Sequence, residues 1–114
     1  MTKLIAPDAY WTMTQEAIDE ITGGCGPGAI GDKFVPDTIW GLNIFQTCRI
    51  HDFEWHLAET AEDYRRADLN FLGNMIILIY AESANGFMRF MRCHRAVTYF
   101  VAVREASMRK GEWL

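Results

Sequence analysis

The sequence lacks any long hydrophobic run. Its longest strongly apolar stretch is Met75-Ile-Ile-Leu-Ile-Tyr80, whereas a helix needs about 20 apolar residues to span a bilayer. The chain is therefore not expected to be an integral membrane protein. Residues 1–7 also lack the apolar core of a secretory signal peptide, so we expect synthesis in the cytoplasm and export by some other route.

Cysteine and positive charge are scarce as well. Three cysteines permit one disulfide and leave one thiol over, which is too few for a disulfide-framework domain. Eleven lysines and arginines stand against 15 acidic residues, for a formal net charge of -4. This balance argues against a nucleic-acid partner, because binding to phosphates needs a basic surface.

The charge is unevenly distributed along the chain. Acidic residues concentrate between Glu54 and Asp68. The last quarter is basic through Arg89, Arg92, Arg95, Arg104, Arg109 and Lys110. Such a segment is typical either of a surface that faces anionic lipid or of an ordinary solvated helix face.

Hydrophobic residues make up half of the 114 positions, which suits a single domain spanning residues 1–114. Apolar periodicity predicts an all-α fold, and we find no convincing strand alternation. Helices are expected at four places: Trp11–Ile21, a segment capped by Asp37 or Thr38, the segment from Thr60 to Tyr80, and Phe87–Ser107. In the last helix, the side chains available for packing are Phe90, Met91, Val97, Tyr99, Phe100, Val101 and Val103. Five glycines and two prolines between Gly23 and Pro36 predict a loop.

The stretch Cys48-Arg-Ile-His51-Asp52 carries the most informative chemistry in the sequence. Ile44, Cys48, His51 and Trp55 follow one another at steps of four, three and four, which places them on one stripe of a helix. Asp52 lies beside that stripe. An adjacent imidazole and carboxylate can take separate roles, since the imidazole can transfer protons while the carboxylate binds a cation.

Asp68 occupies a position that periodicity assigns to the inward face of its helix. A buried carboxylate without a partner would be costly. His51 is the obvious candidate partner, although an arginine such as Arg65 or Arg95 would also satisfy the charge.

The joint occurrence of Cys25-Gly-Pro-Gly28, Cys48-Arg-Ile-His51-Asp52 and Asp68 resembles the secreted phospholipase A2 superfamily. The likeness is closer to its small prokaryotic and phage or prophage members, because His51-Asp-Phe53 is similar to their His-Asp-Phe. The stretch from Asp68 to Met75 is likewise similar to their Asp-x-x-Phe-x-x-x-Met pattern. The resemblance covers about Gly23 to Met75. It implies two long antiparallel helices that carry the site, a glycine-rich calcium loop and additional packing helices.

Carried over by position, the resemblance gives His51 the role of a general base that takes a proton from water. Asp68 would orient the imidazole and stabilise the imidazolium that forms. The amide of Gly26 would help to stabilise the oxyanion. In place of the tyrosine whose hydroxyl reaches the catalytic aspartate in the family, this chain has Trp55, which offers only an indole N–H.

The resemblance also implies a calcium site and a disulfide. The carboxylate of Asp52 would bind Ca²⁺, which accepts six to eight oxygen ligands in flexible geometry. The further ligands implied are the carbonyls of Gly24, Gly26 and Gly28, with the side chain of Asp32 as an additional candidate. Cys25 and Cys48 would form the disulfide between loop and helix, leaving Cys93 as a thiol.

These expectations amount to a calcium-dependent enzyme that hydrolyses the sn-2 acyl ester of glycerophospholipids, with a phospholipid surface as its partner. Candidate residues for a substrate channel or lipid contact, all of which could equally be core, are Trp11, Ile18, Trp40, Phe45 and Trp55. Trp55 and the missing export signal favour an alternative, a noncatalytic phage or prophage accessory protein that keeps the scaffold. A third hypothesis is a hydrolase of another ester or amide at the cell envelope. Release by host lysis or association with a virion would fit the phage resemblance.

Overall fold

The computed structural model describes residues 3–22 and 37–111. These residues form helices and one small hairpin, in the order α1 (Asp8–Thr12), α2 (Gln15–Thr22), β1 (Thr38–Ile39), β2 (Leu42–Asn43), α3 (Phe45–Leu57), α4 (Ala61–Glu82) and α5 (Gly86–Gly111). The predicted helical class is confirmed. Among the described residues, no helix is both long and apolar enough to cross a bilayer.

The long helices α4 and α5 pack against each other, and α3 packs against α4. Because only residues 58–60 and 83–85 join these helices, sequential neighbours run antiparallel. The largest group of buried side chains fills the space between α4, α5 and the hairpin: Ile39, Leu42, Ile44, Phe71, Met75, Ile79, Ala96, Tyr99 and Val103. This packing fixes the position of α4, on which Asp68 lies.

The start of α4 is where the sequence predicts it. The Thr60 side chain accepts a hydrogen bond from the Asp63 N–H, and the Asp63 carboxylate accepts one from the Thr60 N–H. This reciprocal capping box satisfies amides that the first turn of a helix leaves without partners. The predicted inward face is also confirmed, since Tyr64, Asp68, Phe71, Met75 and Ile79 are buried and Leu72 is half-buried.

The single helix predicted for Trp11–Ile21 is wrong, because the structure divides it into α1 and α2. The break lies at Met13, whose backbone is extended. Thr14 then begins the next helix by accepting a hydrogen bond from the Ala17 N–H at 3.1 Å. A threonine at this position favours a new helix start, since its hydroxyl replaces the missing carbonyl.

The predicted helix cap at Asp37 or Thr38 is also wrong, because these residues lead into a hairpin. Ile39 pairs with Leu42 across two turn residues, Trp40 and Gly41, which both have positive φ. Positive φ at both central residues gives the turn a twist that matches the strands. Helix α3 starts later, where the Asn43 side chain accepts a hydrogen bond from the Phe45 N–H.

Fewer α5 side chains pack into the core than the sequence predicts. Tyr99 and Val103 are buried in the core as expected. Phe90, Val97 and Val101, which were also expected to be available for packing, are more than half exposed. Helix α5 therefore uses one side for the core and presents a second apolar side to solvent.

The amino-terminal segment is attached to α4 through Asn74. This fully buried amide accepts a hydrogen bond from the Ile5 N–H at 2.5 Å and donates one to the Ile5 carbonyl at 2.8 Å. Leu4 beside it joins a second group of buried side chains with Tyr10, Ile18, Ile50 and Phe53. The segment thus covers the junction of α3 and α4.

Candidate active site

His51 on α3 and Asp68 on α4 form a buried pair. The His51 Nε2 lies 2.6 Å from the Asp68 Oδ1, and their side chains are 5% and 0% exposed. The contact exists because each residue lies on the face of its helix that meets the other helix. The structure therefore brings together the two residues that the sequence predicts as a pair.

A third helix contributes Arg104 to the same carboxylate. The Arg104 Nη1 donates a hydrogen bond to the Asp68 Oδ2 at 2.9 Å. Each oxygen of the buried carboxylate thus has its own N–H partner, which offsets the cost of removing its charge from water. Asp68 joins α3, α4 and α5 at one point.

The two arginines considered from the sequence do not contact Asp68. Arg65 makes two hydrogen bonds to Glu62 on the surface of α4. The Arg95 guanidinium lies over the Trp40 ring at 5.6 Å. Sequence reasoning missed Arg104, because periodicity gives the buried face of each helix but not the register between α4 and α5.

Aromatic rings surround the His51 imidazole. The Phe71 ring lies 4.8 Å from it and the Trp55 ring 6.4 Å, measured between centroids. The Trp55 N–H donates to the Ser107 Oγ at 2.9 Å and does not reach Asp68. Trp55 therefore bonds to α5 through Ser107, and Arg104 occupies the second oxygen of Asp68.

This arrangement selects one tautomer of neutral His51. The Asp68 carboxylate is an acceptor when ionised, so Nε2 carries the proton and donates it to Oδ1. Nδ1 then keeps the lone pair, and it makes no hydrogen bond to any part of the chain that the structure describes. The imidazole itself is buried, with 5% of the side chain exposed.

Asp52 follows His51 on α3 but lies outside this pair. Its carboxylate is 3.4 Å from the His56 Nδ1, and 14% of its side chain is exposed. His56 also contacts the Asp52 carbonyl oxygen at 2.9 Å. Within residues 3–22 and 37–111, no group of three or more acidic, histidine or cysteine side chains could hold a metal ion.

The other predicted calcium and oxyanion residues lie outside the described residues. They are Gly24, Gly26, Gly28 and Asp32. Cys25 lies outside them too, so its disulfide with Cys48, which is half-buried on α3, stays a prediction. Cys93 is half-buried on α5.

The five channel candidates separate into two groups. Ile18 and Trp55 are buried in the core. Trp11, Trp40 and Phe45 are 46%, 49% and 38% exposed. The buried pair takes the core role that the sequence left open, and the exposed group remains available for contact with a ligand or surface.

Glu54, one helical turn after His51, is a further acidic group that the sequence analysis did not single out. Its Oε2 accepts a hydrogen bond from the Asn70 side chain at 2.9 Å. Its Oε1 is buried without a hydrogen-bond partner in the described part of the chain. Burial raises the pKa of Glu54 to about 7, against the opposing effects of the Asn70 hydrogen bond and Arg66, and the charge of Asp68 adds to the rise.

Comparisons with known proteins add no assignment to this geometry. No family model, curated protein or solved structure matches the chain. The geometry of the residues themselves is therefore what indicates a function.

Proposed function

We propose that the chain is a hydrolase in which His51 activates water, acting with calcium on the sn-2 acyl ester of glycerophospholipids. The observation that carries the proposal is the buried His51–Asp68 contact with Arg104 on the second carboxylate oxygen. A histidine oriented by a carboxylate is suited to general-base catalysis because the carboxylate fixes its tautomer and stabilises its protonated form.

In the proposed reaction, the His51 Nδ1 takes a proton from water as the water oxygen attacks the ester carbonyl. The carbonyl oxygen becomes an oxyanion, and Asp68 stabilises the imidazolium across the bond to Nε2. When the tetrahedral intermediate collapses, its bond to the alcohol oxygen breaks and His51 returns the proton to that oxygen. The products are a free fatty acid and a lysophospholipid.

Arg104 supports this scheme by a means that differs from the family tyrosine. A buried carboxylate with one free oxygen would leave that oxygen without a hydrogen-bond partner. The Arg104 Nη1 supplies the partner at 2.9 Å. In the proposal, Arg104 is a positioning residue that fixes the Asp68 carboxylate in place.

Asp52 is the residue of the described chain that would contribute to a calcium site. Its side chain is a hard oxygen donor, is partly exposed and follows His51 directly, so it fits a ligand for Ca²⁺ beside the base. The remaining ligands in the proposal are the carbonyls of Gly24, Gly26 and Gly28, with Asp32 as an additional candidate. A bound calcium ion would polarise the ester carbonyl.

The proposed substrate class follows from the family resemblance and from the exposed rings of Trp11, Trp40 and Phe45. Tryptophan is enriched where proteins contact the interface between lipid and water. A phospholipid surface is therefore the partner that we test first.

The test measures fatty-acid release from mixed phospholipid vesicles, with calcium and with a chelator. We expect calcium-dependent release that falls at least about 100-fold in His51→Gln, since general-base catalysis contributes that much or more. Asp52→Asn should lose calcium dependence and most of the activity. His94→Gln, which changes an exposed histidine on α5, is the matched control and should retain the wild-type rate.

Calcium binding by the same samples, measured by titration calorimetry, distinguishes the remaining outcomes. Folded protein that binds calcium but releases no fatty acid from any lipid would contradict the enzyme proposal and favour the noncatalytic accessory protein. Release from a nonlipid ester alone would contradict the proposed substrate.

A further inference from the structure

Helix α5 has a second apolar face that the rest of the described chain leaves exposed. Its members, here called the α5 stripe, are Phe87, Phe90, Val97, Val101 and Met108, with exposures of 73%, 64%, 51%, 54% and 56%. Apolar patches of several hundred Å² on a monomer usually mark a contact surface.

The stripe follows a heptad pattern. Steps of three and four residues lead from Phe87 through Phe90, His94, Val97, Val101 and Arg104 to Met108. This alternation is the spacing by which one helix packs along another over several turns. Ala96, Tyr99 and Val103, which face the core, lie on the other side of the helix. The spacing of the stripe therefore suits packing against another helix rather than binding of a small ligand.

A lipid surface is a poorer match for the stripe. Helices that lie on anionic membranes use lysine and arginine side chains beside their apolar face. In α5, the Arg89 guanidinium lies over the Tyr80 ring at 4.5 Å, and the Arg95 guanidinium covers Trp40. Arg92 donates to the Trp40 carbonyl, and Arg104 binds Asp68. Four of the arginines that made this region basic are thus engaged within the protein.

The area of the stripe is close to what a specific pair of chains needs. With about 150–200 Å² for each fully exposed side chain of this size, the observed exposures correspond to about 500 Å² on one copy. Two copies would bury up to about 1,000 Å² through the stripe alone, which is the threshold for a biological interface and lies below the roughly 1,200 Å² at which stable interfaces begin.

We propose that a second copy of this chain covers the α5 stripe, so that α5 packs against α5 across a two-fold axis. Such an interface is self-complementary, because each copy presents the same residues to the other. His94 is the exposed polar position of the heptad pattern and would restrict the register of the pair, as polar residues do in coiled coils, whereas Arg104 is held by Asp68. This inference does not depend on the proposed hydrolase activity.

The test measures the mass of the 114-residue protein in solution by light scattering and sedimentation over a range of concentrations. We expect twice the chain mass of 13.1 kDa. Val97→Glu and Val101→Glu place a charge at the centre of the stripe, and each should weaken the dimer at least about 100-fold, because like charges would face each other in a dry interface. Both positions are exposed in the monomer, so circular dichroism should show an unchanged helix content.

Leu69→Glu is the matched control, because Leu69 is an exposed leucine on α4 outside the stripe and its replacement should leave the dimer intact. A wild-type monomer at every concentration would overturn the proposal. So would a dimer that tolerates both valine replacements, since its interface would lie elsewhere. Binding to anionic phospholipid vesicles that Val97→Glu abolishes would assign the stripe to lipid instead.

Discussion

At the scale of single residues, the candidate site depends on how the protein accommodates the charge of Asp68. One carboxylate oxygen contacts His51 and the other accepts from Arg104, and the side chain is fully buried. Replacing either partner leaves a buried charge that lacks half of its compensation. Such losses are costly, because a buried carboxylate has no water to replace the missing bond.

We therefore expect Arg104→Met to lower the free energy of unfolding by about 2–4 kcal/mol, because it removes the positive partner of a buried charge. Arg104→Lys keeps the charge and should recover part of the loss. Arg109→Met, an exposed change on the same helix, is the control and should cost less than about 0.5 kcal/mol. Chemical denaturation at pH 7 measures all three. Equal effects of the two methionine variants would contradict the central role of the Asp68 ion pair.

The raised pKa of Glu54 predicts that the stability of the protein depends on pH. Its pKa in the folded protein is about 7, above the ordinary value of 4.5. A carboxyl group with a raised pKa contributes stability that is fully present below the unfolded pKa and is lost as pH rises through the folded pKa. The wild-type protein should therefore lose about 1–2 kcal/mol of unfolding free energy through Glu54 between pH 5 and pH 8, a value reduced for partial exposure to solvent. Glu54→Gln, which cannot ionise, should not show this loss.

Denaturant titrations at several pH values would measure this effect. Glu105→Gln, a change at an exposed position, is the control and should keep the wild-type slope of unfolding free energy against pH. If Glu54→Gln also kept that slope, burial of the Glu54 carboxyl group would not control how stability depends on pH.

The sequence predicts the His51–Asp68 contact because both residues obey the periodicity of their helices. Two other contacts required knowledge of how the helices pack. Arg104 reaches Asp68 from 36 positions away, and Trp55 donates to Ser107 from 52 positions away. Periodicity indicates which face of a helix is buried, but it does not give the register between two helices.

At the scale of secondary-structure elements, prediction succeeds where local hydrogen bonds determine the structure. The capping box of Thr60 and Asp63 is complete within four residues, so it is visible in the sequence. The hairpin is missed because its strands have two residues each, too few for an alternating pattern. Its turn depends on positive φ at Trp40, which is uncommon for a residue other than glycine.

The sequence of α5 alone does not show which of its apolar faces is buried. Its apolar residues cover more than one face, so the sequence assigns both the core residues and part of the α5 stripe to packing. Only the position of α4 decides which face becomes the core: Ala96, Tyr99 and Val103 meet it, whereas Val97 and Val101 do not. Surplus apolar surface on one helix is thus recognisable only after the other helices are placed.

At the scale of the whole molecule, α4 is the element to which α3, α5 and the amino-terminal segment attach. It meets α5 along the main core, meets α3 at the His51–Asp68 pair, and holds the amino-terminal segment through Asn74. A substitution that breaks the contacts of Asp68 should destabilise three helices together. A substitution at Asn74 should have a local effect, because the segment before α1 contacts the core mainly through Leu4.

This difference leads to a prediction for Asn74→Leu, which keeps a side chain of similar size but breaks both hydrogen bonds to Ile5. We expect a loss of about 2 kcal/mol in unfolding free energy, since two hydrogen bonds are replaced by solvent contacts. In native-state hydrogen exchange, the Ile5 amide should lose protection while the amides of α4 and α5 keep theirs, because local opening does not require global unfolding. Asn70→Leu, one turn earlier on α4, should leave Ile5 protected. Equal loss of protection throughout α4 would show that the amino-terminal segment unfolds only with the whole domain.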